Sequence, residues 1–298
     1  MSKTFRGTYT VMMTPNHEDG RLDLAALAHF VKWQIREGIH GLIPLGSTGE
    51  FLSLTEDERI AVAETVIRTA AGRVPTLIGT GAEDTREAVR LSRQAERLGA
   101  DGVMVIPPFY STPTDDEIVH HYDTIARAIG IPIMIYNNPA TSNVDLKPAL
   151  VARLAAIDNC RYIKESTLEV TRVRDILRLC GDRMTVFGGI LGFESFVEGA
   201  EGWVAVASNV APGPLARLFT LVADDNKVRE AHALYLEWLP LIEAVGGHRY
   251  VAATKALLSH MGLPAGPPRP PRLPLPAAED AALKVMVETL GLAFPHAA

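Results

Sequence analysis

Short runs of apolar, often β-branched residues alternate along the chain with longer stretches whose apolar positions recur every three to four residues. That alternation predicts parallel strands joined by helical crossovers. Strands are expected near Thr8–Met13, Gly41–Leu45, Thr76–Gly79, Gly102–Ile106, Pro132–Tyr136, Arg161–Lys164, Thr185–Phe187 and Trp203–Ala207. Helix starts are marked by Asp23 before Leu24, by the capping box Thr55-x-x-Glu58, and by Asp84 or Thr85 before a helix over Arg86–Leu98. Eight such units predict an α/β fold, a (β/α)8 TIM barrel over residues 1–222. The texture then changes. Helices are expected over Asn226–Ala244, Val251–Met261 and Ala278–Leu290, with a rigid Pro-rich connector from Pro264 to Pro276. Residues 223–298 therefore read as a C-terminal helical appendage.

In a barrel of this kind the active site is built where strands end on the C-terminal face, so polar residues closing an apolar strand are the first candidates. Three places stand out: Gly46-Ser47-Thr48-Gly49-Glu50, Tyr136-Asn137-Asn138-Pro139 and Lys164-Glu165-Ser166. A lysine at the inner end of a buried strand is costly as a cation, and a neutral amine attacks a ketone to give an imine that drains electrons from the neighbouring carbon. Alone, Lys164 would read as a strand-end residue reaching solvent. The other two places change that reading. Tyr136 can carry protons with Ser47 as its relay, and the turn at 46–49 offers backbone N–H groups and two hydroxyls to a carboxylate.

These residues resemble the dihydrodipicolinate synthase and N-acetylneuraminate lyase family over nearly the whole chain. The turn G-[ST]-T-G-E appears as Gly46–Glu50, Y-N-x-P as Tyr136–Pro139, and K-[EQ]-[SA]-[ST] as Lys164–Thr167. The resemblance implies a lyase acting on pyruvate or a related 2-oxo acid, with Lys164 forming the Schiff base and no other cofactor or metal. Tyr136 would be the acid/base, Ser47 the relay and Thr48 a carboxylate contact beside Gly46, while Gly188, Gly189 and Val204 would close the pocket around the pyruvyl group. Tyr110 would reach into a neighbouring subunit's site, which implies a homotetramer of paired dimers.

Two departures bear on the rest of the substrate. Dihydrodipicolinate synthases carry an arginine two residues past the proline of Y-N-x-P, where this chain has Thr141, and a hydroxyl does not replace a bidentate cation. Sialic acid lyases place an acidic pair after the strand-seven glycine, where this chain has Ile190-Leu191, so a polyol tail would lack partners. The expectation is a shorter or less hydroxylated 2-oxo acid, processed by aldol chemistry, dehydration, or dehydration with deamination of a 2-keto-3-deoxy-type acid. Dihydrodipicolinate synthase and a non-catalytic 2-oxo acid sensor are the alternatives. Asn137, Asn138 and Glu165 either choose among these substrates or, for Asn138, only cap the turn before Pro139. Arg249, Lys255 and His248 read as surface groups.

Composition narrows the partners further. A net charge of −6 without a basic run argues against nucleic acid or an anionic membrane. Neither a leader nor a spanning segment is expected at the N-terminus or later, and Cys160 and Cys180 alone suit a reducing compartment, so a cytoplasmic location is expected. The nine histidines lack H-x-x-x-H or H-x-H spacing and close no strand, against a metal-dependent aldolase.

Overall fold

The computed structural model describes residues 4–294. The first three residues, part of the N-terminal stretch read above, and the last four of the appendage lie outside that range. Eight parallel strands form the barrel: β1 Gly7–Val11, β2 Gly41–Ile43, β3 Leu77–Gly79, β4 Gly102–Val105, β5 Ile133–Asn137, β6 Cys160–Glu165, β7 Thr185–Gly188 and β8 Gly202–Ala205. They run in the order β2-β1-β8-β7-β6-β5-β4-β3, and a parallel bridge between Leu42 and Thr76 joins the two ends. The strands fall where the apolar runs predict them, within two residues at either end.

Period-two alternation divides each strand between two cores. Tyr9, Val11, Met104, Met134, Tyr136, Tyr162, Phe187 and Val204 fill the barrel interior. Ile133, Ile135, Ile163 and Val186 face the helices instead. Burial of each such side chain contributes roughly 1.5–3 kcal/mol. The predicted caps form: Asp23 accepts from the Ala26 N–H, Thr55 and Glu58 close a capping box, and Asp84 accepts from the Arg86 N–H.

After β8 come a helix over Pro212–Phe219 and a π-helical turn, Thr220–Asp224, inside which the expected boundary at residue 222 falls. The appended helices span Val228–Ala244, Tyr250–Met261 and Ala277–Thr289. Ala231, Trp238, Leu257 and Val287 join the same apolar core as the barrel helices.

One expectation for the appendage is corrected. Arg249 is a surface charge paired with Glu279, and His248 is exposed, but Lys255 is 2% exposed. The helix Tyr250–Met261 buries Val251, Ala252, Ala253, Thr254, Leu257 and Leu258, leaving it no solvent face along most of its length. A lysine within it is carried inside and must find an acceptor there.

Candidate active site

β5 and β6 pair in register so that Tyr136 stands opposite Lys164. Each lies two residues beyond an interior side chain, Met134 and Tyr162, so alternation directs both into the barrel. The Lys164 Nζ lies 3.9 Å from the centroid of the Tyr136 ring, and both residues are 5% exposed. Burial pushes the Tyr136 phenol up, but the Lys164 charge and hydrogen bonds from Asn138, Lys164 and Ser47 outweigh it and hold the phenol below its ordinary range. The structure thus gathers three expected residues, Lys164, Tyr136 and Ser47, around one buried oxygen.

The turn after β2 is tightened by the Gly49 N–H donating to the Gly46 carbonyl and the Glu50 N–H to that of Ser47, both at 3.1 Å. The Ser47 and Thr48 N–H groups are not used by those bonds. Leu45 and Glu50 flank the turn with φ of 60° and 56°, a region costing a non-glycine residue roughly 1–3 kcal/mol and held only where surroundings enforce it. Two enforcers are visible. A Cβ on Gly79 would come within 2.1 Å of the Leu45 carbonyl oxygen, so only glycine in β3 admits that backbone. Glu50, 2% exposed, is held at 2.9 Å by Lys255 and at 2.7 Å by the Arg269 N–H.

The same alternation separates the residues left open after β5. Asn137 and Glu165 point behind the strands: the Asn137 Nδ2 donates to Glu165 Oε2 at 2.9 Å, its Oδ1 accepts from the Leu146 N–H, and Glu165 Oε1 accepts from the Thr167 N–H. Burial pushes the Glu165 carboxyl up against the pull of those donors. Neither residue faces the Lys164 side, so they do not choose the substrate by direct contact. Asn138 turns inward, and its Nδ2 donates to the Tyr136 hydroxyl oxygen at 2.9 Å. It makes no side-chain cap on the short helix Pro139–Ser142, which removes the capping alternative.

Gly188 and Gly189 close β7 beside this pair. A Cβ on Gly189 would lie 1.8 Å from the Ser166 hydroxyl, so the glycine is required by the approach of β6 whatever else it contacts. Val204 is fully buried within the barrel cluster. Thr141 is exposed in the short helix after β5, its hydroxyl donating to the Asn138 carbonyl at 3.3 Å. Tyr110 is 86% exposed and is not gathered with the buried pair. Its loop is pinned by Glu83, whose carboxylate accepts from the N–H groups of Phe109, Tyr110 and Ser111 at 2.9–3.0 Å. Despite the cost of burial, the Ser111 hydroxyl together with those donors holds the Glu83 carboxyl down at about 2.

Sequence reasoning missed Lys255 and left Asn138 undecided. The unbroken apolar neighbourhood of Lys255 was the available signal; nothing local in the sequence marks where an Asn138 amide points. Among the described residues no group of three or more His, Cys, Asp or Glu side chains is placed to hold a metal, and no helix is long and apolar enough to cross a membrane.

Comparison with known proteins agrees with the fold. The profile of the dihydrodipicolinate synthetase family matches residues 4–290. A 4-hydroxy-tetrahydrodipicolinate synthase of Acidiphilium cryptum is 37% identical over 97% of this chain and 99% of its own. Among solved structures, a dihydrodipicolinate synthetase so described from Pseudomonas aeruginosa superposes with a TM-score of 0.93 at 35% identity, covering 96% of this chain and all of that one. The chloride-inhibited dihydrodipicolinate synthase of Acinetobacter baumannii, complexed with pyruvate, gives 0.94 at 30% identity over 97% of this chain and all of that one.

Proposed function

The chain belongs to the dihydrodipicolinate synthetase family of lyases, and from that membership we propose that it activates pyruvate, or a 2-oxo acid containing the pyruvyl unit, as an imine on Lys164. The observation that carries this is the buried Lys164 amine 3.9 Å from the Tyr136 ring, with the phenol held below its ordinary range. The lysine nitrogen adds to the keto carbon, and the keto oxygen leaves as water after taking two protons, one of them delivered through Tyr136 and Ser47. Loss of a methyl proton then gives an enamine, a carbon nucleophile. The 46–49 turn, with Thr48 buried within it, seats the carboxylate in this reading on the Ser47 and Thr48 N–H groups. The protein supplies this chemistry through its own lysine, with no metal or separate cofactor.

Two reactions of the Lys164 imine are supported by different observations. The names of the relatives weigh toward condensation with aspartate semialdehyde, the 4-hydroxy-tetrahydrodipicolinate synthase reaction, and that activity is the first to test. Thr141, standing where the resemblance expects an arginine, favours cleavage or dehydration of a 2-keto-3-deoxy-type acid. The solvent-exposed Tyr110 supports an assembly in which it enters a neighbour's site, with a homotetramer as the proposed form.

Borohydride reduction in the presence of pyruvate is expected to add mass at Lys164 alone. An unlabelled protein at saturating pyruvate would sink the imine. Parallel assays with aspartate semialdehyde and a set of 2-keto-3-deoxy acids then separate the two reactions by which substrate gives the higher kcat/KM.

A further inference from the structure

Tyr136 and Asn138 are two residues apart at the end of β5, and the 2.9 Å bond between the Asn138 Nδ2 and the phenol oxygen fixes both on the barrel side of the strand. The other end of that amide is Oδ1, which is buried and has no hydrogen-bond partner among the described residues. A buried carbonyl left without a donor is destabilising and uncommon, and where one persists beside reactive groups it is available to a ligand. The two ends of an amide are one bond angle apart, so this acceptor sits next to the atom that exchanges protons with the substrate. Asn137, its neighbour in sequence, has both ends of its amide satisfied behind the strand. The open valence is therefore particular to Asn138.

We propose that Asn138 is a positioning and specificity-determining residue: its Nδ2 orients the Tyr136 phenol, and its Oδ1 accepts a hydrogen bond from a hydroxyl on the substrate carbon beyond the pyruvyl unit. This rests on the imine reading of Lys164 and deepens it by naming the acceptor for the carbon-4 hydroxyl that both proposed reactions involve. Such a hydroxyl is what an aldol step creates and what a retro-aldol or dehydration step consumes, and Tyr136 must reach it to move its proton. With the donor end of the amide on the phenol and the acceptor end on the substrate hydroxyl, one side chain registers the base against the proton it handles. The hydrogen bond from Asn138 also contributes to holding the phenol below its ordinary range.

The test uses the full chain and needs no knowledge of the second substrate. Exchange of pyruvate methyl protons in D2O, followed by NMR across pH, reads the imine and its proton shuttle. Inhibition of that exchange by 4-hydroxy-2-oxopentanoate and by 2-oxopentanoate reads the acceptor. In Asn138→Val the exchange is expected to slow about tenfold, the ionisation governed by Tyr136 to move to higher pH, and a roughly tenfold or greater preference for the hydroxylated inhibitor to disappear. Asn138→Asp, of nearly the same size, is expected to move the ionisation further up, because a carboxylate beside the phenol opposes its loss of a proton. Borohydride trapping of pyruvate at Lys164 in both variants establishes that the site has folded, and if the valine variant fails to trap, the aspartate variant alone decides. An ionisation unmoved in the folded variants, or an inhibitor preference unchanged in the valine variant, overturns the proposal. Absence of methyl exchange in the unaltered protein would overturn it together with the imine reading; normal exchange with unmoved variants would overturn it alone.

Discussion

Lys255, on an appended helix, and Glu50, at the end of the turn after β2, form an ion pair at 2.9 Å in which each side chain is 2% exposed. The pair crosses from one part of the chain to the other and ends on the residue that closes the 46–49 turn. The Asn16 side chain and the Pro267 carbonyl take further bonds from the ammonium, and the Arg269 N–H satisfies the second carboxylate oxygen. Burial pulls the Lys255 ammonium down, and Glu50 pulls it back. The appendage therefore holds a left-handed Glu50 whose conformation sets where Ser47 and Thr48 lie.

Breaking this pair from one side strands a buried charge. Lys255→Met is expected to destabilise the protein by about 3–5 kcal/mol, while Lys255→Met with Glu50→Gln recovers part of that loss. Denaturant midpoints of the two singles and the double check it. Additive losses would show that the pair is not coupled.

Tyr136→Phe keeps the ring that packs against Lys164 and removes the proton carrier. Pyruvate is expected to be trapped still, slowly, with turnover reduced about 100- to 10,000-fold. Lys164→Ala abolishes trapping. Mass spectrometry of the reduced protein and steady-state rates distinguish the two outcomes, and a phenylalanine variant with undiminished turnover would remove Tyr136 from the chemistry.

Thr141→Arg restores a cation where the resemblance places one. If the carboxylate of aspartate semialdehyde lies within its reach, kcat/KM for condensation is expected to rise about tenfold or more, the effect of a charge-assisted hydrogen bond. A fall in activity toward 2-keto-3-deoxy acids in the same variant would locate both substrates over the β5 end.

Glu83 holds the Tyr110 loop through three backbone donors. Its carboxyl titrates at about 2, below the ordinary 4.5, so its contribution is present above pH 4.5 and is lost only as pH falls toward 2. Near neutral pH the loop is expected to loosen in Glu83→Ala, read as faster amide exchange at Phe109–Ser111. Unchanged exchange there would show that the loop is held by other contacts.

His121 makes the stability of the fold pH-dependent in a different window. It is 2% exposed, donates to or accepts from Thr85 at 2.9 Å, and has a buried Nε2 without a partner. Burial lowers it from 6.5 to about 4. Between those values the unfolded chain binds the proton that the folded chain refuses, so stability falls as pH drops from about 6.5 to about 4. The loss amounts to roughly 3 kcal/mol once both states are protonated. His121→Gln is expected to flatten that part of the stability profile, measured by denaturant unfolding at pH 7 and pH 4.5. An unchanged slope would assign the dependence elsewhere.

The sequence by itself determined the barrel, because alternation within short apolar runs and capped helical stretches between them are local properties that survive being read one residue at a time. It also determined the candidates Lys164, Tyr136 and Ser47, because each closes a strand or begins the turn after one, and strand ends on one face of a barrel converge wherever they lie in the chain. What only the tertiary structure decided was side-chain direction and long-range company. Asn137 and Asn138 are chemically identical neighbours, yet one is used up behind the sheet and the other is bonded to the phenol, since a pleated strand sends successive side chains to opposite faces. Lys255 read as a surface charge because its acceptor, Glu50, is distant in sequence; the two meet only when the appended helix packs against the barrel, and burial there leaves the ammonium no other partner of opposite charge among the described residues.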